Sequence, residues 1–233
     1  MPTPFMLTTE EFSERFPLFN TANPETLDRL LSVAQEHEYP ARRAVLMEDA
    51  WGNAVFFIVS GWVKVRRLSE KSDITITLLG AGDFFGEMAI LDESPRSTDV
   101  IALSEVKLLS VSAQRFIQAL FNDSQLHHRM LQLMVRRLRQ YNNRFQLRHQ
   151  PPAVKLASTL IQLGEEYGRD TQNGLSIFNA SFKDLADISD IGLEESRKIL
   201  EKLHEKKWIA INTEENVLYL INKKQLKHLS GLV

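Results

Sequence analysis

The sequence predicts an α+β fold in three parts: a sandwich or jelly roll of short strands over residues 1–119, one long helix over 120–150, and a helix-turn-helix with a hairpin wing over 151–233. Three observations carry this. Short β-branched and aromatic runs, broken by turn signals about every ten residues, fill the first half. A seam of apolar residues then recurs at alternating spacings of four and three. The last third reads helix, turn, helix and hairpin in that order.

The strand-rich part contains one helix, in "ETLDRLLSVA", where Leu27, Leu30, Leu31 and Ala34 have helical spacing after Pro24. "VFFIVSGWVKVRRL" reads as two strands with Gly61 as turn or bulge. "SDITITLLGAGDFF" alternates Ile74, Ile76 and Leu78 and stops at Gly80 and Gly82, and "STDVIALSEVKLLSVS" continues in the same style. Helix is expected from about Ala113 to Gln150. Its seam is Leu131, Val135, Leu138, Asn142 and Phe145, flanked by Met134 and Tyr141. Pro151-Pro152 stops it and marks a hinge. "AVKLASTLIQLGEEYG" is a further helix, and "RDTQNGLS" reads as a polar loop. Ser181 with Asp184 forms a variant of an N-terminal capping box. After a tight break at Ser189–Ile191, Gly192 starts a second helix. Trp208–Ile211 and Val217–Ile221 read as a hairpin.

The chain of 233 residues, 43% hydrophobic and 25% charged, is long enough to bury a core. It has no cysteine, which excludes disulfides, iron–sulfur clusters and cysteine-based zinc sites. No apolar run reaches the roughly 18 residues of a membrane helix. The start, "MPTPFMLTTEEF", lacks the basic beginning and cleavage segment of a secretory signal, so no membrane association and a cytoplasmic location are expected. The net charge of −2 divides into −6 over residues 1–121, +5 over 122–150 and −1 over 151–233. No whole segment is therefore a basic nucleic-acid face. His127, His128 and His149 sit on the basic helix without a carboxylate cluster, and His37 is the only histidine before it. Metal, haem and acid–base chemistry are not expected, nor is an enzyme.

The stretch "DFFGEMAILDESPRSTD", Asp83–Asp99, carries the chemistry. Gly86-Glu87 follows an apolar strand end, and Met88, Ala89, Ile90 and Leu91 allow one helical turn. Free backbone N–H groups at the start of such a turn attract an anion, and Gly86 permits close approach. Arg96 offers a planar fork matched to phosphate oxygens. Glu87 would repel a phosphate, so its place is explained if it accepts hydrogen bonds from ligand hydroxyls. Together they ask for a ligand with both groups, such as a nucleotide. The plain alternative is an Arg–Glu ion pair across a turn, and spacing alone leaves both open.

With Gly86, Glu87, Pro95, Arg96 and Ser97 in that order, the stretch resembles the phosphate-binding cassette of cyclic-nucleotide-binding domains. "FFIVSGWVKV" and "LLGAGDFFGE" are similar to that family's strand–Gly–strand and Gly-Asp-x-x-Gly-Glu elements. With the long helix and winged helix-turn-helix behind it, nearly the whole chain resembles the Crp/Fnr family of bacterial regulators.

The resemblance implies a cyclic-nucleotide-binding β-roll, a long dimerisation helix and a winged helix-turn-helix, with cyclic AMP (cAMP) as ligand. Glu87 would accept from the ribose 2′-hydroxyl. Arg96 would pair with the cyclic phosphate, helped by Ser97 and the backbone from Gly86 through Met88 to Ala89. Val65 and Ile76 would line the purine pocket. Asn142 matches the place where a long-helix side chain meets the adenine amino group; its other reading is a polar residue fixing dimer register. Arg137 is within reach of Glu87, or is a solvated helix arginine. The family's Thr-Ser at the adenine is here Tyr141-Asn142, Ser97-Thr98 offers hydroxyls suited to guanine, and Asp49-Ala50 replaces a Gly-Asp turn.

In "GLEESRKILEKLHEK", Ile199, Leu200 and Leu203 are expected to point inward, and Leu193, Glu194, Arg197 and Lys198 outward. Glu194 suits a cytosine amino group and Lys198 or Arg197 a guanine. Ser181, Lys202, Lys206 and Lys207 are phosphate candidates. An ordinary self-paired helix surface is the alternative. The family's Arg-Glu-x-x-x-Arg is here Leu193-Glu194-x-x-x-Lys198, and the wing tip carries Glu214 and Glu215. The expected partners are a second copy of the chain, double-stranded DNA and RNA polymerase, the last through the Arg169–Ser176 loop by family analogy. The rival reading is a dimeric nucleotide sensor acting through a protein partner, its DNA binding weakened.

Overall fold

The computed structural model describes residues 7–69 and 72–231. Helix α1 (Thr9–Arg15) begins with a capping box, in which Thr8 accepts from the Glu11 N–H and Glu11 accepts from the Thr8 N–H at 2.9 Å. Helix α2 (Pro24–Leu31) has Asn23 as its cap and Pro24 at its first position, where a missing N–H costs nothing. The strands β1 (Gln35–Tyr39), β2 (Ala44–Leu46), β3 (Ala54–Ser60), β4 (Val63–Ser69), β5 (Ser72–Leu79) and β6 (Phe84–Phe85) follow. Next come the short helix α3 (Glu87–Leu91), the strands β7 (Asp99–Ala102) and β8 (Val106–Ser112), and the helices α4 (Ala113–Asn122) and α5 (Ser124–Gln146). Two antiparallel sheets result, ordered β1-β8-β3-β6 and β2-β7-β4-β5.

The unbroken apolar run of β3 has a direct cause: the strand is covered on both faces. Val55, Phe57 and Val59 point into a core with α1, α2, α4 and the start of α5, while Phe56 and Ile58 point between the sheets. Neighbouring β8 does the same with Leu109 and Val111 on one side and Val106 and Leu108 on the other. The helical side is aromatic. Phe12 and Phe16 lie 4.5 Å apart by ring centroid, and Phe16 meets Phe57 edge-on at 5.6 Å.

One expected alternation fails. Ile74, Ile76 and Leu78 do not share a face, because β4 and β5 slip register: Val65 stands opposite Thr77, but Arg66 stands opposite Thr75. Ile76 is the extra residue of this bulge. A one-residue slip exchanges the faces, so Thr75 is buried and Ile74 exposed. The buried Thr75 lies beside Arg66, which pairs with the buried Asp99 at 3.2 Å. The expected continuous helix from Ala113 also breaks, at Asp123. Its N–H closes α4 on the Ala119 carbonyl, and its carboxylate caps α5 through the N–H groups of Gln125 and Leu126, both at 3.0 Å. The same carboxylate takes the Asn23 N–H at 2.7 Å, so one residue, through its backbone and its side chain, fixes the ends of three helices.

The chain divides into two compact units, one ending at Leu138 and the other beginning at Arg139, so the boundary falls inside α5. The second unit contains a 3-10 turn (Leu147–His149), α6 (Pro152–Tyr167), β9 (Arg169–Thr171), β10 (Gly174–Phe178), α7 (Phe182–Ile188), α8 (Leu193–Glu205), β11 (Ile209–Asn212), β12 (Val217–Leu220) and α9 (Lys223–Ser230). Pro152 is thus a helix start, and α5 has already ended at Gln146. The expected loop "RDTQNGLS" is instead a hairpin. Gly174 turns it at φ 110°, and β9 and β10 extend the wing into a sheet ordered β11-β12-β10-β9. Leu156, Leu160, Ile161, Leu175, Ile177, Leu200, Leu203, Leu218 and Leu226 are buried in this unit.

Burial alone would raise the Asp123 carboxyl, but hydrogen bonds from the N–H groups of Asn23 and Leu126, the Thr26 side chain and the Gln125 N–H outweigh it and hold it below its ordinary value. Its contribution is therefore present above the ordinary carboxylate range and is lost as pH falls through the lowered value. Replacing Asp123 with Ala should cost about 2 kcal/mol at neutral pH, as a lost cap and charged hydrogen bonds do. Urea midpoints should show this deficit shrinking in acid.

Candidate functional site

Strand β6 ends at Gly86, whose φ of 85° and ψ of 1° lie in the left-handed region, and α3 starts at once. A side chain at Gly86 would be strained there, and it would also collide: its Cβ would stand 2.7 Å from Arg96 Nη1. A Cβ at Gly52 would stand 2.8 Å from Arg96 Cζ. Two glycines thus make room for one guanidinium. Arg96 is 5% exposed, with Nη2 donating to the Ala54 carbonyl at 2.8 Å and Nη1 to the Gly86 carbonyl. Its fork carries more donors than these two bonds use. Its backbone is clamped as well. The Asp49 N–H reaches the Arg96 carbonyl at 2.8 Å, and the Arg96 N–H reaches the Ala50 carbonyl at 2.8 Å. Asp49 takes a φ of 64°, so the turn conformation survives without glycine.

Glu87 is 3% exposed. Arg137, from α5, donates to its Oε1 at 2.5 Å and to the Phe84 carbonyl at 2.7 Å, with its guanidinium 4.4 Å above the centre of the Phe84 ring. Glu87 therefore pairs with Arg137, not with Arg96 across the turn. Burial pushes the Glu87 carboxyl up from its ordinary value, opposed by Arg137, its own backbone N–H and Arg96. Burial likewise lowers Arg96, opposed by Glu87. Two opposite charges are thus held out of water within one short loop, each with its own hydrogen-bonding partner.

Of the other expected ligand residues, Ala89 is buried, Met88 and Ser97 are exposed, and Val65 and Ile76 are half-buried. Val65 packs against the core between the sheets, while Ile76 is the bulge residue. Tyr141 and Asn142 lie on the exposed surface of α5 within the second unit. Along the same helix Leu131, Val135, Leu138 and Phe145 are exposed, a stripe of apolar side chains without cover in the single chain. Gly52, the Ala54 carbonyl and Phe84 were not singled out from the sequence. The small residues of "GNA" before β3 were the available signal for the first two.

In the second unit, Leu193, Glu194, Arg197 and Lys198 are exposed on α8, while Leu200 and Leu203 are buried and Ile199 half-buried. Lys202 lies in its last turn. Lys206 sits 5.0 Å over the Trp208 ring, and Lys207 turns the chain with a φ of 58°. The Ser181 hydroxyl is engaged at the start of α7, accepting from the Asp184 N–H at 3.0 Å and donating to its carboxylate at 2.6 Å. Arg197 stands 5.7 Å from the ring centre of Phe182, an exposed aromatic that the sequence reading passed over. No helix among the described residues is long and apolar enough to cross a membrane.

Residues 36–123 match the cyclic nucleotide-binding domain family. The chain is 24% identical over 205 residues to a CRP-like cAMP-activated global transcriptional regulator of Mycobacterium tuberculosis, covering 87% of this chain and 92% of that protein. It is 32% identical over 125 residues to the cyclic AMP receptor protein of Thermus thermophilus, covering 53% and 58%. Its fold superposes on FixK2 from Bradyrhizobium japonicum with a TM-score of 0.73 at 19% identity, over 84% of this chain and 97% of that one. The buried Glu87–Arg96 loop lies within the residues that match the cyclic nucleotide-binding domain. Along most of its length the chain is similar to a CRP-like regulator, and its fold is that of FixK2.

Because the folded pKa of Glu87 lies above the ordinary 4.5, the folded state holds that proton more tightly than the unfolded chain. Its effect on stability should thus fall as pH rises from about 4.5 through the raised value. Glu87→Gln should flatten that part of the stability–pH profile, measured by urea midpoints from acid to neutral pH.

Proposed function

We propose that the chain is a homodimeric, cyclic-nucleotide-responsive transcription regulator, with cAMP as ligand and inverted-repeat promoter DNA as target. The observation that carries the ligand reading is the burial of Glu87 and Arg96 together beside left-handed Gly86. A carboxylate suits ribose hydroxyls and a guanidinium fork suits a cyclic phosphate, and a cyclic nucleotide presents both. Glu87 accepts from the 2′-hydroxyl while keeping Arg137. Arg96 turns its remaining donors to the phosphate, joined by Ser97 and the backbone of Gly86, Met88 and Ala89. Val65 and Ile76 flank the purine. The names borne by the relatives support cAMP.

The exposed stripe Leu131, Val135, Leu138 and Phe145 is the dimer seam. Covering each large side chain is worth roughly 1.5–3 kcal/mol. A two-fold dimer presents two α8 helices to successive major grooves. Glu194, Arg197 and Lys198 address base edges, Leu193 a thymine methyl, and Lys202, Lys206 and Lys207 the phosphates, while Ser181 caps α7. RNA polymerase is the further partner, met at the β9–β10 hairpin. A second reading, a nucleotide sensor acting through a protein partner, draws on the exposed acidic wing tip, Glu214 and Glu215, and on Leu193 where a donor is usual.

Arg96→Ala should lose about 2–5 kcal/mol of nucleotide affinity, over tenfold. Calorimetry against a panel of cyclic mono- and dinucleotides reads this directly and identifies the ligand. Unchanged affinity in the folded variant would reject the cassette as the binding site. Selection from random DNA with ligand present should recover an inverted repeat with half-sites roughly 10–11 base pairs apart. Lys198→Ala should relax one base pair per half-site at about 1–3 kcal/mol. Recovery of only salt-sensitive, sequence-independent binding would favour the protein-partner reading.

A further inference from the structure

The turn between α7 and α8 is held from outside the helix-turn-helix, and its carbonyls show how. The closing carbonyls of a helix lack partners within it and must find others. At the end of α7, Leu185 is bonded by the Ser189 N–H at 3.0 Å, Ala186 by the Ile191 N–H at 3.1 Å, and Asp187 by the Asp190 N–H at 3.1 Å. The last carbonyl, Ile188, is bonded by Arg144 Nη2 at 2.7 Å. Arg144 lies in the last turns of α5, on the far side of Pro151-Pro152 from the helix-turn-helix. It is a cation at a helix C-terminus, where the helix dipole favours positive charge.

Two side chains of α6 grip the same turn. Lys155 Nζ bonds the Asp190 carbonyl at 3.0 Å and its carboxylate at 3.2 Å, and the Thr159 and Ser189 hydroxyls meet at 2.8 Å. Asp190 needs such support, because it is a non-glycine residue at a φ of 52°. A further tie joins α5 to α6, with Gln140 donating to Glu166 at 2.5 Å. Arg144 is half-buried, and this lowers its guanidinium, with Tyr141 and Asp190 opposing.

We propose that Arg144 is a positioning residue that locks the end of α5 to the turn of the helix-turn-helix. The two proline residues between them then do not act as a hinge. Resting on the function proposed above, the lock delivers a ligand-driven change in α5 to the reading helix α8. The prolines were expected to be the hinge, and the bonds that bridge them remove that freedom. A flexible joint at Pro151-Pro152 would need Arg144 to release the Ile188 carbonyl, leaving a partly buried acceptor without its partner.

The test uses the full-length chain with Arg144→Met and Arg144→Lys, the second keeping a charged donor. Hydrogen–deuterium exchange, without nucleotide or DNA, should show amides 189–193 exchanging about tenfold faster in Arg144→Met, as loss of one charged hydrogen bond implies. Exchange in α6 and in β10–β12 should not change, and Arg144→Lys should recover part of the protection. Protection of the turn within twofold of the parent, or uniform loss across the whole unit, would overturn the proposal. Should Arg144→Met not fold, Arg144→Gln is read by the same criteria. The second readout is the ratio of DNA affinities with and without cAMP. It should shrink toward one in Arg144→Met while cAMP affinity stays unchanged, and an undiminished ratio would overturn the coupling role. A parent ratio of one would count against the regulator reading itself, leaving the exchange data to decide the lock.

Discussion

Two opposite charges buried in one loop set the terms for the first unit. Taking a carboxylate and a guanidinium out of water is expensive unless each is hydrogen-bonded. Glu87 and Arg96 meet this condition through different partners, Arg137 in one case and the carbonyls of Ala54 and Gly86 in the other. Much of the surrounding structure serves that arrangement. Gly52 and Gly86 lack side chains where the guanidinium lies, and the turn at Asp49–Ala50 grips the Arg96 backbone. Phe84 offers Arg137 both a carbonyl and a ring face. A site assembled this way is pre-organised, since its ligand replaces water at groups already held in place.

The roll can hold such a loop because β3 and β8 are each buried on both faces. The same two strands separate the aromatic core under the helices from the core between the sheets. Packing on both sides limits movement of β3, and the Ala54 carbonyl that receives Arg96 belongs to that strand. At the other end of the first unit, Asp123 ties α2, α4 and α5 together, so the helix that carries Arg137 starts from a fixed point. The helix that carries Arg137 also carries the exposed apolar stripe of Leu131, Val135, Leu138 and Phe145.

In the second unit, satisfaction of backbone groups again decides the geometry. The turn before α8 contains a left-handed aspartate and a helix end, both unfavourable alone. Side chains from α5 and α6 offset this, and the exposed face of α8 is presented by a firmly held frame. The long-range hydrogen bonds that do this leave no periodic trace in the sequence. Arg144 looks like any helix arginine until the Ile188 carbonyl is seen beside it.

The sequence by itself determined the order of the parts, the strands around Gly61, the apolar stripe on α5, the inward and outward faces of α8, and the stretch from Gly86 to Arg96 as the place where opposite charges meet an apolar strand end. These rest on periodicity and on residue types with a single chemical use, both local properties. Tertiary structure alone decided which partner each charge took, that Gly52 and Gly86 make room for Arg96, and that Arg137 rather than Arg96 neutralises Glu87. It also decided the register slip that buries Thr75 and exposes Ile74, the break at Asp123, and the hairpin at Arg169–Phe178. Each of these depends on a particular partner group that periodicity and residue type do not name. A bulge needs its neighbouring strand, a capped helix end needs the N–H it shares, and a buried charge needs the carbonyl or counter-charge that folding brings to it.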